Sequence, residues 1–174
     1  MPKEREDRQA KIINELESSD EPLSGLELAQ RHHVTRQVVV HDVALLRAAG
    51  YPILSTPRGY VLERDRSSQR NVVILSVAHS PELTGVELFT FVDLGLRVMN
   101  VQVEHPLYGE LTGSLHLASR RDVEYFLEKI SQQRASLLSS LTDGYHMHQI
   151  EYDQDERLQE AILTLRKKGI VVYD

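Results

Sequence analysis

The sequence contains no cysteine, which rules out disulfides and thiolate ligands for a metal. Any metal would have to be held by histidine and carboxylate side chains. No run approaches the roughly 20 apolar residues of a membrane-spanning helix. The charged N-terminal stretch MPKEREDRQAK also lacks the apolar core of a secretory signal. These absences predict a cytoplasmic protein without a membrane partner.

Motifs for catalysis are missing as well. The sequence has no nucleophile elbow, no glycine-rich phosphate loop and no HExxH motif. It also shows no internal repeat and no low-complexity tract. We therefore do not expect an enzyme. A metal-dependent hydrolase with a DNA-targeting module stays open as an alternative, because a His/Glu metal site can activate water.

The composition is that of a globular protein with an uneven charge. The 174 residues are 41% hydrophobic and 26% charged, which suits one ordinary domain or two small ones. A net charge of −6 argues against indiscriminate coating of nucleic acid. The segment from Arg31 to Arg64, however, has five arginines against two acidic residues. A locally basic segment in an acidic chain indicates a module that reads specific DNA.

Three helices are predicted in the first 50 residues. The first covers residues 6–18, where apolar side chains have helical spacing: Ala10, Ile12, Ile13 and Leu16. Ser24 and Glu27 have the spacing of a capping box, which predicts a second helix through Arg31. Thr35 is predicted to cap a third helix that runs to Ala49 and stops at Gly50. Its predicted buried stripe is Val38, Val39, Val43, Leu45 and Leu46.

The order of these elements predicts a winged helix-turn-helix. Two short strands are expected around the turn Pro57-Arg58-Gly59. The stretch VTRQVVVHDVALLRAAGYPILSTPRGYVL resembles the winged helix at the N-terminus of biotin-ligase-type repressors. The third helix would then lie in the major groove of DNA. Expected base contacts are Arg36, Gln37 and His41, and expected backbone contacts are Ser24, Thr35 and Arg58.

Several of these side chains also have a purely structural interpretation. Arg47 could pair with an acid on the surface of its own module, and Arg58 could be a solvated turn residue. His32, His33 and His41 lack the spacing of a metal pair, so we interpret them as surface or DNA-facing imidazoles.

A second domain is predicted after a polar, unpatterned stretch from Arg64 to Asn71. The predicted domains are residues 1–65 and 71–174. The second has the order β-α-β-β-α-β-α, and residues 170–173 could add an edge strand, so we expect a two-layer α+β sandwich. Its first helix is expected from Thr84 to Leu96, with an inward stripe of Val86, Phe89, Val92 and Leu96. Ser119 and Asp153 are the expected caps of the later helices.

Histidines of the second domain have a pattern that suits a metal. The stretch GYHMHQI predicts a strand that projects His146 and His148 from one face. His79 follows the first predicted strand, and Glu87 lies one turn into the next helix, so both can face the same pocket. Three imidazoles and one carboxylate form a ligand set suited to a divalent transition metal, with room for water or a ligand.

Each of these residues has a competing interpretation. A His-x-His pair can lie on the solvent face of an edge strand. Glu87 completes a capping-box spacing with Thr84, so it could serve the helix terminus instead of a metal. His105 could be an ordinary turn residue, and His116 could be a hydrogen-bonded, partly buried histidine.

Three motifs carry a resemblance to a known family. HSPEL (79–83), EHPLYGEL (104–111) and LTDGYHMH (141–148) resemble the 3H domain. Together with the winged helix, they make the chain similar over residues 1–174 to the NiaR family of bacterial repressors, which regulate NAD biosynthesis and nicotinate uptake genes. The resemblance implies an HPr-like fold for the second domain, nicotinic acid as co-repressor and a homodimer on operator DNA. It also implies one metal per chain at His79, Glu87, His146 and His148.

The identity of the metal and the contacts of the effector stay open. Nickel or zinc suits the implied ligands best, and iron or manganese is compatible. On adjacency alone, His105, Tyr108 and Arg120 are the candidates for contacting the effector beside the metal. An open metal position would accept a pyridine nitrogen or a carboxylate oxygen. The alternative is a metal sensor, in which the metal itself is the signal.

Overall fold

The computed structural model describes residues 2–64 and 70–173. These residues form two compact units, one on each side of residues 65–69. Each unit has its own buried apolar cluster. The predicted domain boundary, between residues 65 and 71, falls largely outside the described residues. In the two described ranges, no helix combines the length and the apolar composition that a membrane crossing requires.

The N-terminal unit has three helices followed by a hairpin. Its elements are α1 (Pro2–Ser18), α2 (Gly25–Arg31), α3 (Arg36–Ala48), β1 (Ile53–Thr56) and β2 (Gly59–Leu62). The two strands pair antiparallel, with Ile53 opposite Leu62. The buried cluster takes Ile12 and Leu16 from α1 and Leu28 from α2. The predicted winged helix-turn-helix is confirmed.

The first two helices differ from the prediction in detail. Helix α1 begins four residues earlier, at Pro2, a residue favoured in a first helical turn because its missing N–H has no intrahelical partner. Ala10 is exposed instead of buried. The side chain of Ser24 accepts the N–H of Glu27, as expected, but the Glu27 carboxylate binds Arg31 at 2.8 Å. The predicted capping box is therefore only half formed.

Helix α3 buries a charged residue that the apolar pattern did not indicate. Its buried residues are Val39, Asp42, Val43 and Leu46, whereas Val38 and Leu45 are only half-buried. The Asp42 carboxylate accepts hydrogen bonds from Arg8 Nε at 2.6 Å and Gln9 Nε2 at 3.0 Å, both on α1. The inner face of α3 is thus narrower than predicted and includes an ion pair.

The C-terminal unit is a five-stranded antiparallel sheet with three helices. Its elements are β3 (Asn71–Ala78), α4 (Thr84–Asp93), β4 (Arg97–His105), β5 (Gly109–Leu117), α5 (Arg120–Gln133), β6 (Tyr145–Tyr152), α6 (Asp155–Lys167) and β7 (Val171–Tyr173). The strand order is β5-β4-β6-β3-β7. One buried cluster joins α4, α5 and α6 to the sheet through residues such as Phe91, Val123, Leu165 and Ile150. The predicted α+β order is confirmed, including the last edge strand.

Helix α4 is shorter than predicted and rotated. It ends at Asp93, and Gly95 two residues later has φ +77, the left-handed conformation that commonly follows a helix. Its buried residues are Glu87, Leu88, Thr90, Phe91 and Val92, whereas Val86 and Phe89 are only half-buried. The apolar pattern predicted the wrong inward face because Glu87, a charged residue, is buried. At the last helix, Gln154 precedes the first turn in place of the predicted cap Asp153.

Candidate functional site

Four side chains converge at one end of the C-terminal sheet. Strands β3 and β6 pair antiparallel, with Val77 opposite His146. His79 lies one residue beyond β3 and therefore reaches the same end of the sheet. Alternation along β6 places His146 and His148 on one face, and Glu87 approaches that face from the first turn of α4.

The Glu87 carboxylate is the centre of this group. Its Oε2 lies 2.6 Å from Nε2 of His79 and 3.3 Å from Nε2 of His146, and its Oε1 lies 3.2 Å from Nε2 of His148. Ligand atoms of His79, Glu87 and His146 all lie within 4.8 Å of one another. The four side chains are between 1% and 4% exposed. The geometry brings together the four residues implied as metal ligands.

Backbone carbonyls fix the orientation of all three imidazoles. Nδ1 of His79 lies 2.7 Å from the carbonyl oxygen of Ser80, and Nδ1 of His146 lies 2.8 Å from that of Gly144. Nδ1 of His148 lies 2.6 Å from the carbonyl oxygen of Asn100. Because a carbonyl oxygen can only accept, each Nδ1 carries a hydrogen. Each neutral ring therefore directs the lone pair of Nε2 towards Glu87.

With the three rings neutral, this arrangement fits a metal because it assembles acceptors without a donor. Three Nε2 lone pairs and a carboxylate would repel one another unless a cation lies among them. Of the described side-chain atoms, Glu87 Oε1 and His148 Nε2 are buried without a hydrogen-bond partner, since their 3.2 Å separation is not aligned as a hydrogen bond. Carbonyl acceptors on Nδ1 are also the usual support for metal-ligating histidines.

The electrostatics of the group favour an ionised carboxylate. Burial alone would raise the pKa of Glu87, but the charge of a protonated His148 and hydrogen bonds from His146 and His79, when those rings carry an Nε2 hydrogen, hold that pKa well below its usual range. Burial lowers the pKa of His79, but the hydrogen bond to Glu87 and its charge raise that pKa overall. Burial likewise lowers the pKa of His148, but the charge of Glu87 raises that pKa overall. The Glu87 carboxylate thus remains ionised and attracts positive charge, either a metal ion or the protons on the histidines.

A cavity of about 250 Å³ opens beside these ligands. Glu87, His146 and His148 form part of its wall. The remaining lining residues are Thr84, Leu88, Val101, Gly113, Ser114, Leu115, Phe126, Ile130, Ala135, Ser136, Leu137, Leu138 and Ser139. Apart from Glu87 and the two histidines, none of the described residues in this wall carries a charge. The cavity therefore suits a small, mainly apolar molecule that interacts with a metal at one end.

The N-terminal unit presents a continuous exposed face on α3. Arg36, Gln37 and His41 are exposed, as expected for residues that reach base edges. Val40 completes the face, with 46% of its surface exposed, because residues four apart on a helix are neighbours. The three consecutive valines Val38–Val40 are the signal that one of them must face away from the core. An exposed valine on this face suits contact with a thymine methyl group.

Comparison with known proteins agrees with both units. Residues 72–174 match the 3H domain family, and residues 8–61 match a family described as an HTH domain. The chain is 38% identical over 169 residues to "Transcription repressor NadR" of Bacillus subtilis, covering 96% of this chain and 94% of that protein. It is 39% identical over 170 residues to "Probable transcription repressor NiaR" of Thermotoga maritima, covering 98% and 96%.

The chain belongs to the 3H-domain family of transcription repressors. Both relatives are named as repressors and neither as an enzyme. The expectation that the chain is not an enzyme is therefore confirmed, and the alternative of a metal-dependent hydrolase is set aside.

Two competing interpretations of the 3H-domain residues are wrong. Helix α4 begins after Leu83, which makes no side-chain capping bond, so Glu87 does not complete a capping box with Thr84. The His-x-His strand is not an edge strand, because β6 lies in the centre of the sheet between β4 and β3. His146 and His148 are buried as a result.

The three predicted effector contacts lie outside the cavity of the 3H domain. Nδ1 of His105 accepts the N–H groups of Leu107 and Tyr108, so this ring organises the β4–β5 turn. Tyr108 is 71% exposed. Arg120 binds Asp93 at 2.5 Å. Lining residues such as Phe126 and Leu138 were not identified from the sequence. The leucines of the segment 137–144 were a signal, because several apolar residues in a polar connection indicate that it packs against the domain.

Other predicted DNA contacts already have partners within the HTH domain. The hydroxyls of Ser24 and Thr35 accept the backbone N–H of Glu27 and Val38, respectively, and each can still donate its own hydrogen. Arg58 pairs with Glu21, so it is not simply a solvated turn residue.

Two further side chains of the HTH domain differ from their interpretation. Arg47 binds the carbonyl of Ile53 and the hydroxyl of Ser55, not an acid, and so ties α3 to β1. The side chain of His32 is only 9% exposed and lies 2.8 Å from Glu15 of α1. His32 is therefore a packing residue of the module and not a surface imidazole.

Proposed function

We propose that this chain is a metal-containing repressor of genes for NAD biosynthesis and nicotinate uptake, with nicotinic acid as co-repressor. The observation that carries the proposal is the position of the buried His/Glu group in the wall of the 3H-domain cavity. A His/Glu group in a cavity wall can bind a metal that in turn contacts a small molecule in the cavity. The names of the two relatives support the repressor part of the proposal.

The proposed metal ligands are His79, Glu87, His146 and His148. A divalent transition metal with imidazole and carboxylate ligands suits this set, with nickel or zinc ahead of iron or manganese. When bound, the metal supplies a positive charge and an open position for a ligand atom. Glu87, His146 and His148 would place this position in the wall of the cavity.

The size and charge of the cavity favour a small acid over a nucleotide. About 250 Å³ is below the usual range of roughly 300–1,000 Å³ for sites that hold drug-sized ligands. None of the described lining residues is a lysine or an arginine, the residues that usually bind phosphate groups. A single aromatic ring can lie against Phe126 and Leu138 and direct its polar group to the metal end. A dinucleotide satisfies neither condition.

For DNA recognition, we propose a cytoplasmic homodimer that presents two copies of α3 to an operator. Successive major grooves on one side of DNA are roughly 34–36 Å apart, which sets the spacing of the half-sites. Arg36, Gln37, Val40 and His41 would contact bases. Ser24, Thr35 and Arg58 would contact phosphates, after Arg58 exchanges its partner Glu21 for DNA.

Nicotinic acid can act as co-repressor only if it binds the DNA-competent conformation more tightly than the other. A ligand with equal affinity for two conformations shifts neither population. The proposal therefore requires that the cavity differs between the two conformations. Segment 135–139 forms much of its wall and connects α5 to the metal-ligating strand β6, so it is the natural place for that difference.

The test measures binding of zinc-loaded protein to operator DNA, titrated with nicotinate and, as control, with nicotinamide. We expect nicotinate to tighten binding and nicotinamide to have little effect. The variant His146→Ala should lose the nicotinate response, because it lacks one ligand, while its winged helix still binds DNA weakly. Met147→Ala is the matched control, since this neighbour points to the other face of β6. A full nicotinate response in His146→Ala would contradict the proposal.

A metal sensor is the second candidate, because three imidazoles and a carboxylate offer enough ligand atoms to hold a metal without any small molecule. In that case zinc alone would tighten operator binding across the range in which the site fills. The nicotinate proposal expects metal to be necessary and not sufficient. A zinc titration without nicotinate, followed by nicotinate at saturating zinc, distinguishes the two.

His105, Tyr108 and Arg120 are tested separately as effector contacts. They do not line the cavity, so an effector bound there would not touch them within one chain. If the alanine variants of all three keep the nicotinate response, their proposed role is ruled out. The cavity proposal does not depend on them.

A further inference from the structure

Strand β4 has one more residue than β6 where the two pair beside the metal centre. The register passes from Val98 opposite Ile150 to Gln102 opposite Met147, so three residues of β4 face two of β6. Three residues opposite two define a β-bulge. A bulge interrupts the hydrogen-bond ladder between the two strands, so that backbone groups of the extra residue can bond elsewhere. Asn100 is the middle residue of the three.

Asn100 makes three hydrogen bonds to consecutive residues of β6. Its backbone carbonyl oxygen lies 2.6 Å from Nδ1 of His148. Its side-chain Oδ1 accepts the backbone N–H of Gln149 at 3.0 Å, and its Nδ2 donates to Oε1 of Gln149 at 3.3 Å. The side-chain oxygen of Asn100 thus accepts a β6 amide hydrogen of the kind that a backbone carbonyl accepts in an unbroken ladder.

We propose that Asn100 is a positioning residue for the metal centre. Because its side chain accepts the N–H of Gln149, its own carbonyl is free to accept the Nδ1–H of His148. That bond fixes the tautomer of His148 and directs the Nε2 lone pair towards Glu87. The inference rests on the proposed metal site and adds a residue from outside the ligand set to it.

His148 differs in this respect from the other two histidines. The carbonyls that hold His79 and His146 belong to Ser80 and Gly144, one and two residues away in sequence. Local chain geometry is sufficient to place them. The acceptor for His148 lies 48 residues away on another strand, and it depends on the side chain of Asn100 to keep the bulge in this form.

The first test is the affinity of the full chain for Zn²⁺, measured in competition with a chromogenic chelator. Loss of the group that orients a metal-ligating histidine typically weakens binding by about 10–100-fold, and we expect this loss for Asn100→Ala. Gln149→Ala is the matched control, because it removes a side chain of the same pair but keeps the backbone N–H that Oδ1 accepts. Asn100→Asp keeps the acceptor oxygen, so it should restore affinity. Equal affinities for Asn100→Ala and Gln149→Ala would overturn the inference.

A double-mutant cycle separates positioning from a general effect on stability. If Asn100 acts through His148, adding Asn100→Ala to His148→Ala should cause no further loss of zinc affinity. A merely structural role predicts the same fold-loss in both backgrounds. The second result would overturn the inference, even if every single variant binds zinc more weakly.

Nuclear magnetic resonance of the ring nitrogens in the metal-free chain gives a readout that needs no metal. At a pH at which the ring is neutral, wild-type His148 should show the Nδ1–H tautomer alone, and Asn100→Ala should show a mixture while the spectrum remains that of a folded protein. An unchanged ring spectrum in Asn100→Ala overturns the inference. Failure of the wild-type chain to bind any metal would instead refute the proposed metal centre, and the ring spectrum would still decide what Asn100 does to His148.

Discussion

Glu87 combines two properties that rarely occur together in one residue. It is 1% exposed, yet burial does not neutralise it, because three imidazoles surround its carboxylate. Removing an ion from water costs several kcal/mol unless charges and hydrogen bonds compensate. The compensation here comes entirely from side chains that are also suited to bind a metal. A metal or a proton on the histidines is thus needed to keep this end of the sheet stable.

The variant Glu87→Gln tests this role at the level of one residue. The amide has nearly the same shape but no charge, so we expect Zn²⁺ affinity to fall by more than about 100-fold, beyond the effect of losing a supporting residue. Competition with a chelator measures the change. Glu82→Gln is the control, because this exposed acid lies on the same connection before α4. Wild-type affinity in Glu87→Gln would mean that the metal lies elsewhere.

Gly144 is the residue on which the approach of His79 and His146 depends. It has φ +91, and a Cβ atom there would lie 2.2 Å from the carbonyl oxygen of His79. Its own carbonyl holds the ring of His146. No side chain can be added without moving one of the two ligands.

We therefore expect Gly144→Ala to lower both thermal stability and zinc affinity. Gly109→Ala is the matched control, since Gly109 also has a positive φ, +71, but nothing lies within 4 Å of its added Cβ. In the control, the free energy of unfolding should fall by only roughly 1–2 kcal/mol, the cost of a positive φ for a residue with a Cβ atom. Denaturant unfolding and chelator competition measure the two effects. Equal losses of stability and affinity in both variants would contradict the role of the close approach.

The residues of the centre were predictable to different degrees. His146 and His148 follow from the alternation of side chains in β6, the strand that the stretch GYHMHQI predicts. Glu87 was predicted as a ligand, but the rotation of α4 was not, because an apolar pattern counts a buried acid as a surface residue. Asn100 could not be predicted, since its role arises from a strand register that only the folded sheet defines.

At the scale of elements, the orientation of α3, the helix proposed to contact bases, is set by polar contacts as well as by packing. Asp42 projects from the inner face of α3 and binds Arg8 and Gln9 of α1. Its neighbour His41 projects to the exposed face. Hydrogen bonds have directions that apolar contacts lack, so this pair fixes the rotation of α3 about its own axis relative to α1.

The variant Asp42→Ala should lower the free energy of unfolding of the N-terminal unit by about 1–3 kcal/mol, because the partly buried donors on Arg8 and Gln9 lose their acceptor. It should also weaken operator binding more than non-specific DNA binding, since base contacts depend on helix orientation. Unfolding curves and DNA titrations measure these changes. Asp20→Ala, which removes an exposed partner of Arg64, should change neither. An unaltered ratio of specific to non-specific affinity in Asp42→Ala would contradict a role in orientation.

Helix and strand order was more predictable than the faces of the helices. Turn residues and caps such as Thr35 and Ser119 mark real helix starts in this chain. The predictions of the inward faces of α3 and α4 were partly wrong, because each helix buries an acidic residue among polar partners. These residues are Asp42 in α3 and Glu87 in α4. A single sequence does not reveal such partners, because they come from distant segments.

At the scale of the whole molecule, the two separate buried clusters imply that the two units can unfold independently. The proposed metal ligands all belong to the C-terminal unit, and Asp42 belongs to the N-terminal one. A ligand that binds only the folded form stabilises it by about 2.7 kcal/mol at a concentration of 100 times its Kd. Metal should therefore stabilise one unit directly and not the other.

Calorimetry tests this expectation. Chelation of the metal should lower the unfolding temperature of one transition, and Asp42→Ala should lower that of the other. The variant Glu87→Gln should behave as the chelated wild type in the first transition and should not respond to chelator. A single transition that shifts equally under both changes would show that the two units unfold together.

The position of β6 in the middle of the sheet determines when a nascent chain can acquire its metal. His79 and Glu87 leave the ribosome first, but His146 follows Glu87 by 59 residues, roughly 3–12 s later at bacterial rates of synthesis. Until β6 pairs between β3 and β4, two histidines of the proposed ligand set are missing. If the proposed site holds a metal, all four ligands are available only after β6 has been synthesised and paired, so we expect the metal content of the protein to follow the cellular supply during its maturation.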